Sequence, residues 1–143
     1  MDQPTPSPDN RLKIGQVAKA SGLPIKTIRY YEDIGLLSPT VARSPSGYRL
    51  FAPEVLNRLA FIKRAQGLGL SLDEVRQVLG VHDQGQLPCS EIKDYLTEKL
   101  VTVQTQIDDL LLLQDELKGL LAQWQEQPSL ERQARTICPN IQR

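Results

Sequence analysis

The chain has 143 residues, of which 40% are hydrophobic and 24% charged, and its 17 basic side chains balance its 17 acidic ones. This is the composition of an ordinary globular protein, and the length predicts one compact domain with an extension. No apolar run approaches the roughly 18 residues of a membrane helix, which argues against a membrane protein.

The charge is unevenly placed along the chain. Residues 11–66 hold ten Lys or Arg and three Asp or Glu, a net charge of +7. Residues 81–143 hold six Lys or Arg and ten Asp or Glu, a net charge of −4. A basic N-terminal half is the electrostatic footprint expected of a nucleic-acid partner.

Residues 1–10 are polar and contain three prolines. They have no apolar core, so they predict a flexible tail and not a signal peptide. Two cysteines in a chain without an export signal predict a cytoplasmic protein whose thiols stay reduced.

A helix-turn-helix pattern follows the tail. Ile14 and Val17 recur at helical spacing, and Gly22 interrupts the pattern. A second helix is predicted over residues 24–34, because proline is favoured in a first helical turn and the glycine that follows can end a helix. A short helix, a glycine turn and a second short helix are the elements of a DNA-binding helix-turn-helix.

The second predicted helix has two different faces. Ile28 and Ile34 point towards a core, whereas the other face is cationic, hydroxyl-bearing and aromatic. That face consists of Lys26, Thr27, Arg29 and Tyr30. It suits phosphates and base edges better than a protein interior. Many small helical proteins also contain two short helices and a glycine turn, so the spacing alone leaves a structural role open.

A hairpin is predicted after the second helix. Proline and glycine exclude a helix there, and Ser46-Gly47 forms a turn between residues suited to short strands. This hairpin is the wing of a winged helix-turn-helix. Arg43 and Arg49 lie on it and can reach phosphates. Tyr48 can pack on the DNA sugars or support the wing, and Phe51 is expected to pack against the helices.

Two more helices complete the predicted DNA-binding domain, residues 11–80. The first begins near Pro53. Its predicted buried stripe is Val55, Leu59, Ile62 and Ala65, and its predicted outer residues are Arg58, Lys63 and Arg64. The second covers residues 72–79, where Ser71 and Glu74 form a capping box. Residues 81–88 are interpreted as a linker.

One long helix is predicted over residues 89–125. A single apolar seam runs along it at steps of four and three, apart from one early step. The seam consists of Ile92, Leu96, Leu100, Val103, Ile107, Leu110, Gln114, Leu117, Leu121 and Trp124. Another chain must cover it, so we interpret it as a dimerisation helix in which the polar Gln114 helps to set the register. An intramolecular hairpin is the alternative, but residues 126–143 are too few to cover the seam.

Five motifs in this order resemble the MerR family of transcriptional regulators. They are IGQVA at 14–18, TIRYYE at 27–32, GLL at 35–37, GYRLF at 47–51 and LGLSLDEV at 68–75. The resemblance covers about residues 12–125. It implies a mainly α fold, in which a winged helix-turn-helix domain precedes a long dimerisation helix paired as an antiparallel coiled coil.

The resemblance also implies how such a protein works. A homodimer binds double-stranded DNA at a palindromic promoter operator, and effector binding distorts the DNA so that RNA polymerase can open it. The recognition helices would enter successive major grooves, with Lys26, Thr27, Arg29 and Tyr30 at the DNA. The predicted phosphate contacts are Arg43, Tyr48, Arg49 and Lys63.

The two cysteines resemble the site of the metal-sensing branch of this family. Cys89 matches the cysteine at the start of the dimerisation helix in divalent-metal sensors, where the copper(I) branch carries serine. Residues 138–141, CPNI, resemble the Cys-Pro-x-Ile end of the C-terminal metal-binding loop, here residues 126–143. In an antiparallel dimer, Cys89 of one protomer would meet Cys138 of the other, and two such sites would form.

One departure from the family affects the choice of metal. Residues 121–126 lack the further loop cysteine usual near the end of the long helix. Two thiolates suit a soft heavy-metal ion, Hg(II) as first choice, or part of a Zn(II), Cd(II) or Pb(II) site completed by other donors. The single histidine, His82, is a possible ligand but is better read as a linker residue.

The sequence bears on three other functions. The cysteines could instead sense oxidants or electrophiles in a regulator of the same family. An enzyme is disfavoured, because the chain offers no catalytic cluster, phosphate loop or nucleophile elbow. A sensor of drug-sized ligands is disfavoured as well, because the tail is too short to enclose such a molecule.

Overall fold

The computed structural model describes residues 10–142, so the predicted flexible tail lies almost wholly outside the described residues. Helices predominate within this range. In chain order the elements are β1 (Leu12–Lys13), α1 (Ile14–Ser21), α2 (Ile25–Asp33), a short 3-10 helix (Ser38–Thr40), β2 (Val41–Arg43), β3 (Arg49–Phe51), α3 (Val55–Gly67), α4 (Leu72–Asp83), α5 (Cys89–Ala122) and α6 (Leu130–Arg135). The expectation that proline and glycine exclude a helix after α2 is wrong at the 3-10 helix, because proline is tolerated in a first helical turn, where its missing N–H is not needed. The chain forms two compact units, the first extending to Thr97 and the second beginning at Glu98.

The helix-turn-helix prediction is confirmed to within one residue at each end of the second helix. Helix α1 ends at Gly22, whose φ of 73° is the left-handed conformation that glycine adopts without strain. Helix α2 follows directly after Pro24, the residue that precedes its first turn. Val17 on α1 and Ile28 on α2 are fully buried. The two helices are therefore fixed to each other by their apolar faces.

A small antiparallel sheet packs beside these helices. Strands β2 and β3 form the predicted hairpin, with Val41 opposite Phe51. The sequence did not indicate β1, which pairs with the other edge of β3 and places Leu12 opposite Phe51. A strand of two residues is too short to show the alternation of apolar and polar side chains by which a strand is predicted. Phe51 is fully buried, as predicted.

The core of the first unit joins all four of its short helices to the sheet. The predicted stripe of α3 is buried as expected. The largest fully buried side chains are Phe51, Ile28, Leu36, Leu37, Leu59, Ile62, Val17, Val55, Val75 and Val78. The predicted capping box at the start of α4 is present, with Ser71 and Glu74 bonded to each other's backbone N–H groups at 3.1 and 2.9 Å.

The prediction that Arg58 lies outside is wrong. Its residue surface is 8% exposed, and its Nε donates a hydrogen bond to the carbonyl oxygen of Leu36. Its two terminal nitrogens donate to the carboxylate oxygens of Asp83 at 2.6 and 2.9 Å. A guanidinium can be buried because this fork pairs it with a carboxylate and a carbonyl.

The same ion pair explains why α4 is longer than predicted. The helix continues through Gly80 to Asp83, beyond the predicted end at residue 79. Its last residue is the one that bonds Arg58, and that bond lowers the pKa of Asp83. The stretch without helix is therefore confined to residues 84–88, within the interval interpreted as a linker.

Helix α5 confirms the predicted long helix and its start at Cys89, with 34 residues to Ala122. It ends three residues before the predicted end at residue 125, so the last predicted seam residue, Trp124, lies beyond the helix. Its beginning is joined to the first unit, because the hydroxyl of Tyr95 donates a hydrogen bond to the side-chain oxygen of Gln77 on α4. No residue of α5 is buried. In the second unit, the seam residues Leu100, Leu110 and Leu121 are 69%, 64% and 68% exposed.

A bilayer crossing needs a helix that is both long and apolar. Within residues 10–142, none of the helices, α5 included, meets that requirement.

We expect the Asp83→Ala substitution to lower the free energy of unfolding by about 2–4 kcal/mol, because it leaves the buried Arg58 charge without its carboxylate. Urea unfolding monitored by circular dichroism measures this change. Asp94→Ala, which removes an exposed carboxylate from α5, is the control and should change stability by less than about 0.5 kcal/mol.

The difference between the wild type and Asp83→Ala should also depend on pH. Folding lowers the pKa of Asp83, so the contribution of the ion pair is complete above the ordinary carboxyl range and is lost as the pH falls through the folded-state pKa. The difference should therefore shrink below about pH 4. A difference that stays constant down to pH 2 would show that the ion pair contributes nothing.

Candidate nucleic-acid interface and cysteine pair

Helix α2 presents the predicted DNA-contacting side chains. Ile28 and Tyr31 face the core, which turns the opposite side of the helix outwards. Lys26, Arg29 and Tyr30 are exposed, and Tyr30 is 52% exposed despite its aromatic ring. The fourth predicted residue, Thr27, is half-buried in the first turn. The face is cationic and aromatic, as the sequence predicts.

Tyr31 has a role that sequence reasoning missed. Its hydroxyl donates a 2.6 Å hydrogen bond to the side-chain oxygen of Gln66 on α3. Burial raises the pKa of Tyr31 further above neutral pH, where a tyrosine hydroxyl is protonated and can donate. This bond fixes α2 against the helix behind it. Tyr31 lies three residues after Ile28, a helical spacing that could have placed its ring on the buried face.

The wing ends in a tight turn. The N–H of Gly47 donates to the carbonyl oxygen of Ser44 at 2.9 Å, and the N–H of Ser44 donates to the carbonyl oxygen of Tyr48 at 2.9 Å. Gly47 has a φ of +88°, as a three-residue hairpin loop with a glycine bulge requires. Arg43 stabilises this turn, because its Nη1 donates to the carbonyl oxygen of Gly47 at 2.9 Å.

Arg49 is paired with two acidic residues at the end of α2. Its Nε lies 2.9 Å from Oε2 of Glu32, and its Nη2 lies 3.4 Å from Oδ1 of Asp33. The Arg49 and Glu32 side chains are largely buried, at 28% and 16% exposure. The pair joins the wing to α2. A phosphate contact by Arg49, which stays a prediction, would compete with these carboxylates.

A basic groove lies between α2 and the wing. We use this name for the concavity lined by Lys13, Ile14, Arg29, Arg43, Gly47, Tyr48 and Arg49. The Nζ of Lys13 lies 5.5 Å from the centre of the Tyr48 ring, a cation–π contact. Sequence reasoning missed Lys13, since its place in the groove depends on the unforeseen β1. Lys63 is exposed on α3 and is not among the groove residues.

The two cysteines are both free thiols. Cys89 is exposed at the first residue of α5. Cys138 is half-buried in the tail, and both its backbone N–H and its carbonyl oxygen are hydrogen-bonded. Its N–H donates to Oε1 of Gln142 at 3.0 Å, and its carbonyl oxygen accepts from the N–H groups of Ile141 and Gln142 at 3.2 and 3.1 Å.

No group of three His, Cys, Asp or Glu side chains arranged to hold a metal ion occurs among residues 10–142. His82 lies in the last turn of α4 and not in the linker where it was predicted, because α4 runs on to Asp83. It is exposed, and its charge contributes to the lowered pKa of Asp83.

Two protein families match the chain. The family described as "MerR HTH family regulatory protein" matches residues 12–80, and the family described as "MerR, DNA binding" matches residues 56–120. The chain belongs to the MerR family. The mainly helical fold, with the helix-turn-helix domain before a long helix, agrees with the fold that this family implied.

Individual MerR-family proteins are similar over most of the chain. The mercuric resistance operon regulatory protein of Bacillus cereus is 37% identical over 110 residues, 77% of this chain and 83% of the relative. The transcription regulator PbrR691 of Ralstonia metallidurans CH34, solved in complex with lead(II), is 34% identical with a TM-score of 0.71, covering 82% of this chain and 91% of that one. MerR of Bacillus megaterium MB1, solved in complex with the mercury(II) ion, is 32% identical with a TM-score of 0.60, covering 92% and 97%.

MerR-family membership confirms the functional class predicted from the sequence. The family comprises DNA-binding transcriptional regulators and not enzymes, so this chain is a transcriptional regulator.

We expect the Arg49→Gln substitution to lower the free energy of unfolding by about 0.5–1 kcal/mol, because it removes the partly buried ion pair between the wing and α2. Arg64→Gln, on the exposed face of α3, is the matched control. Urea unfolding of both variants measures the difference. Equal stability of the two variants would contradict a structural role for the Arg49 pair.

Proposed function

We propose that the chain is a homodimeric regulator that binds a palindromic promoter operator and responds to a soft heavy-metal ion. The observation that carries this proposal is the placement of its two free thiols, one at the start of the exposed seam helix and the other in a hydrogen-bonded tail. The metal-bound relatives PbrR691 and MerR of Bacillus megaterium support a metal effector.

The exposed seam of α5 supports dimerisation. Leu100, Leu110 and Leu121 repeat on one face, and each exposes well over half of its surface. Such a stripe on a long helix is stable only when a second apolar surface covers it. A second copy supplies a matching stripe, with Gln114 as the polar position that helps to set the register. Antiparallel pairing is part of this proposal.

The exposed face of α2 and the basic groove support DNA binding by the first unit. In the proposal, Lys26, Thr27, Arg29 and Tyr30 lie at the major groove, where the exposed end of α2 can reach base edges. Phosphates are bound by the wing and α3, through Arg43, Tyr48 and Lys63, and through Arg49 if it exchanges its carboxylate partners. Two copies reach successive major grooves, about 34 Å apart in B-DNA.

The chemistry of the donors supports a soft ion. The chain has two cysteines, and thiolates select soft metals. Cys89 of one protomer and Cys138 of the other would supply two thiolates to each ion, which Hg(II) accepts more readily than ions that need four ligands. Zn(II), Cd(II) and Pb(II) remain alternatives that require oxygen or nitrogen donors as well.

Metal binding then acts through the dimer. An ion that binds one arrangement of the two protomers better than the other shifts the population towards it. The bound operator changes twist with the dimer, and the promoter becomes accessible to RNA polymerase. This step uses promoter DNA and polymerase, so the proposal places the protein in the cytoplasm.

Arg29→Ala should weaken binding to an operator selected from a random duplex pool and lower the salt dependence of log K by about one phosphate contact. Fluorescence anisotropy over a salt series measures both quantities. Lys118→Ala on α5 removes the same charge outside the proposed interface, and it should leave both quantities unchanged. Equal effects of the two substitutions would sink the assignment of α2 as the DNA-contacting helix.

Cys89→Ser and Cys138→Ser should each abolish Hg(II) binding and leave operator binding intact. Native mass spectrometry of the reduced dimer, titrated with Hg(II), Zn(II), Cd(II), Pb(II) and Cu(I), should show one ion per cysteine pair in the wild type, with the soft ions preferred.

A mixed dimer of the two variants tests the intersubunit site directly. One protomer with Cys89→Ser and one with Cys138→Ser retain a single complete pair, so the mixed dimer should bind one Hg(II) ion. If the cysteines paired within one protomer, the mixed dimer would bind none.

A further inference from the structure

The tail of the second unit contains a buried polar residue. From Glu98 to Gln142, the described residues are exposed or half-buried with one exception, Asn140, which is 6% exposed. An amide in this position must have its hydrogen bonds satisfied, because burying a polar group without partners is unfavourable. The partners of Asn140 therefore show what the burial achieves.

Asn140 bonds both main-chain groups of a single residue. Its Oδ1 accepts a hydrogen bond from the N–H of Gln125 at 2.8 Å, and its Nδ2 donates to the carbonyl oxygen of Gln125 at 3.0 Å. We call this pair of bonds the Asn140–Gln125 clamp. Gln125 lies just beyond the end of α5, so the clamp closes residues 126–139 into a loop.

Further hydrogen bonds fix Cys138 inside this loop. Oε1 of Gln142 accepts from the N–H groups of Ile137 and Cys138 at 2.7 and 3.0 Å. Arg132 on α6 donates to the carbonyl oxygens of Pro139 and Gln142, both at 3.0 Å. The clamp fixes Asn140, two positions after Cys138. The other hydrogen bonds fix the backbone of Cys138 and of the residues beside it.

The clamp lies where the chain departs from the cysteine pattern that the family resemblance implies. A second loop cysteine near the end of the long helix would let a bound metal ion close the loop by bridging it to Cys138. Residues 121–126 have no cysteine, and here the same two parts of the tail are joined by the side chain of Asn140. Asn140 occupies the position that the Cys-Pro-x-Ile pattern leaves open.

We propose that Asn140 is a positioning residue for the metal site: its clamp on Gln125 closes the tail loop without metal and holds Cys138 ready to bind. This inference rests on the proposed metal response. A loop that is already closed loses less conformational entropy when the ion binds, so a site with two thiolates gains affinity from the clamp.

The first test is made without metal, in a Cys89→Ser background that leaves Cys138 as the single thiol. Iodoacetamide labels Cys138 at a rate that reports how often the loop opens. Asn140→Ala should increase this rate several-fold. Gln127→Ala, an exposed amide in the same loop, is the matched control and should label at the wild-type rate. The helix content and melting temperature of both variants, from circular dichroism, show that α5 is folded.

The second test measures affinity in the chain with both cysteines. Hg(II) is titrated in competition with glutathione, which also keeps the thiols reduced. Loss of two hydrogen bonds should weaken Hg(II) binding about tenfold in Asn140→Ala, and binding in Gln127→Ala should match the wild type.

The outcomes separate this inference from the function on which it rests. Wild-type labelling and wild-type affinity in Asn140→Ala would overturn the role of Asn140, as would equal effects of Gln127→Ala. If Cys138→Ser binds Hg(II) as tightly as the wild type, the metal site itself is wrong, and the labelling rates still decide whether Asn140 closes the loop.

Discussion

The buried guanidinium of Arg58 is the interaction on which the arrangement of the first unit depends. It donates hydrogen bonds to the carbonyl of Leu36, just after α2, and to the carboxylate of Asp83, the last residue of α4. Desolvating this charge costs several kcal/mol, and the cost is offset only while both partners keep their places. The position of α2 and the end of α4 are thereby coupled through one side chain. Residues 84–88 then lead directly from Asp83 to Cys89, so the start of the seam helix is a short distance along the chain from that coupling.

The basic residues of the first unit differ in whether they are paired with carboxylates. Arg49 and Arg58 are paired with carboxylates and serve to connect elements. Lys26, Arg29 and Lys63 are exposed on helices, on surfaces that a partner can reach. The surplus of basic residues in the N-terminal half therefore overstates the positive charge available to DNA, because some of these residues form ion pairs within the protein. An excess of charge along a sequence indicates a partner, but the structure is needed to show which cations can meet it.

The sequence predicted the elements whose signals are local. Each of these signals lies within a few residues of the helix or turn that it predicts. They are the helical spacing, the helix boundaries at Gly22 and Pro24, and the Ser46-Gly47 turn, and the structure confirms them. The contacts that the sequence did not indicate join residues far apart in the chain. Arg58 depends on a carboxylate 25 residues away, in a stretch interpreted as linker, and Arg49 depends on residues 16 and 17 positions earlier. Lys13 depends on a two-residue strand. In the tail, Cys138 was singled out by its motif, whereas Asn140 has no local pattern that separates it from a solvated amide.

The absence of buried residues along α5 has a consequence for how much of this protein is folded at a given time. A helix with an uncovered apolar stripe gains little from its own domain, and in the proposed dimer its stability comes from a second chain. Mass action then makes folding of this part depend on protein concentration. Newly made chains at low copy number would populate a state in which the DNA-binding unit is formed and the seam helix is not. In the proposed dimer, the abundance of the regulator would thus set a concentration threshold, below which few of the proposed metal sites are complete.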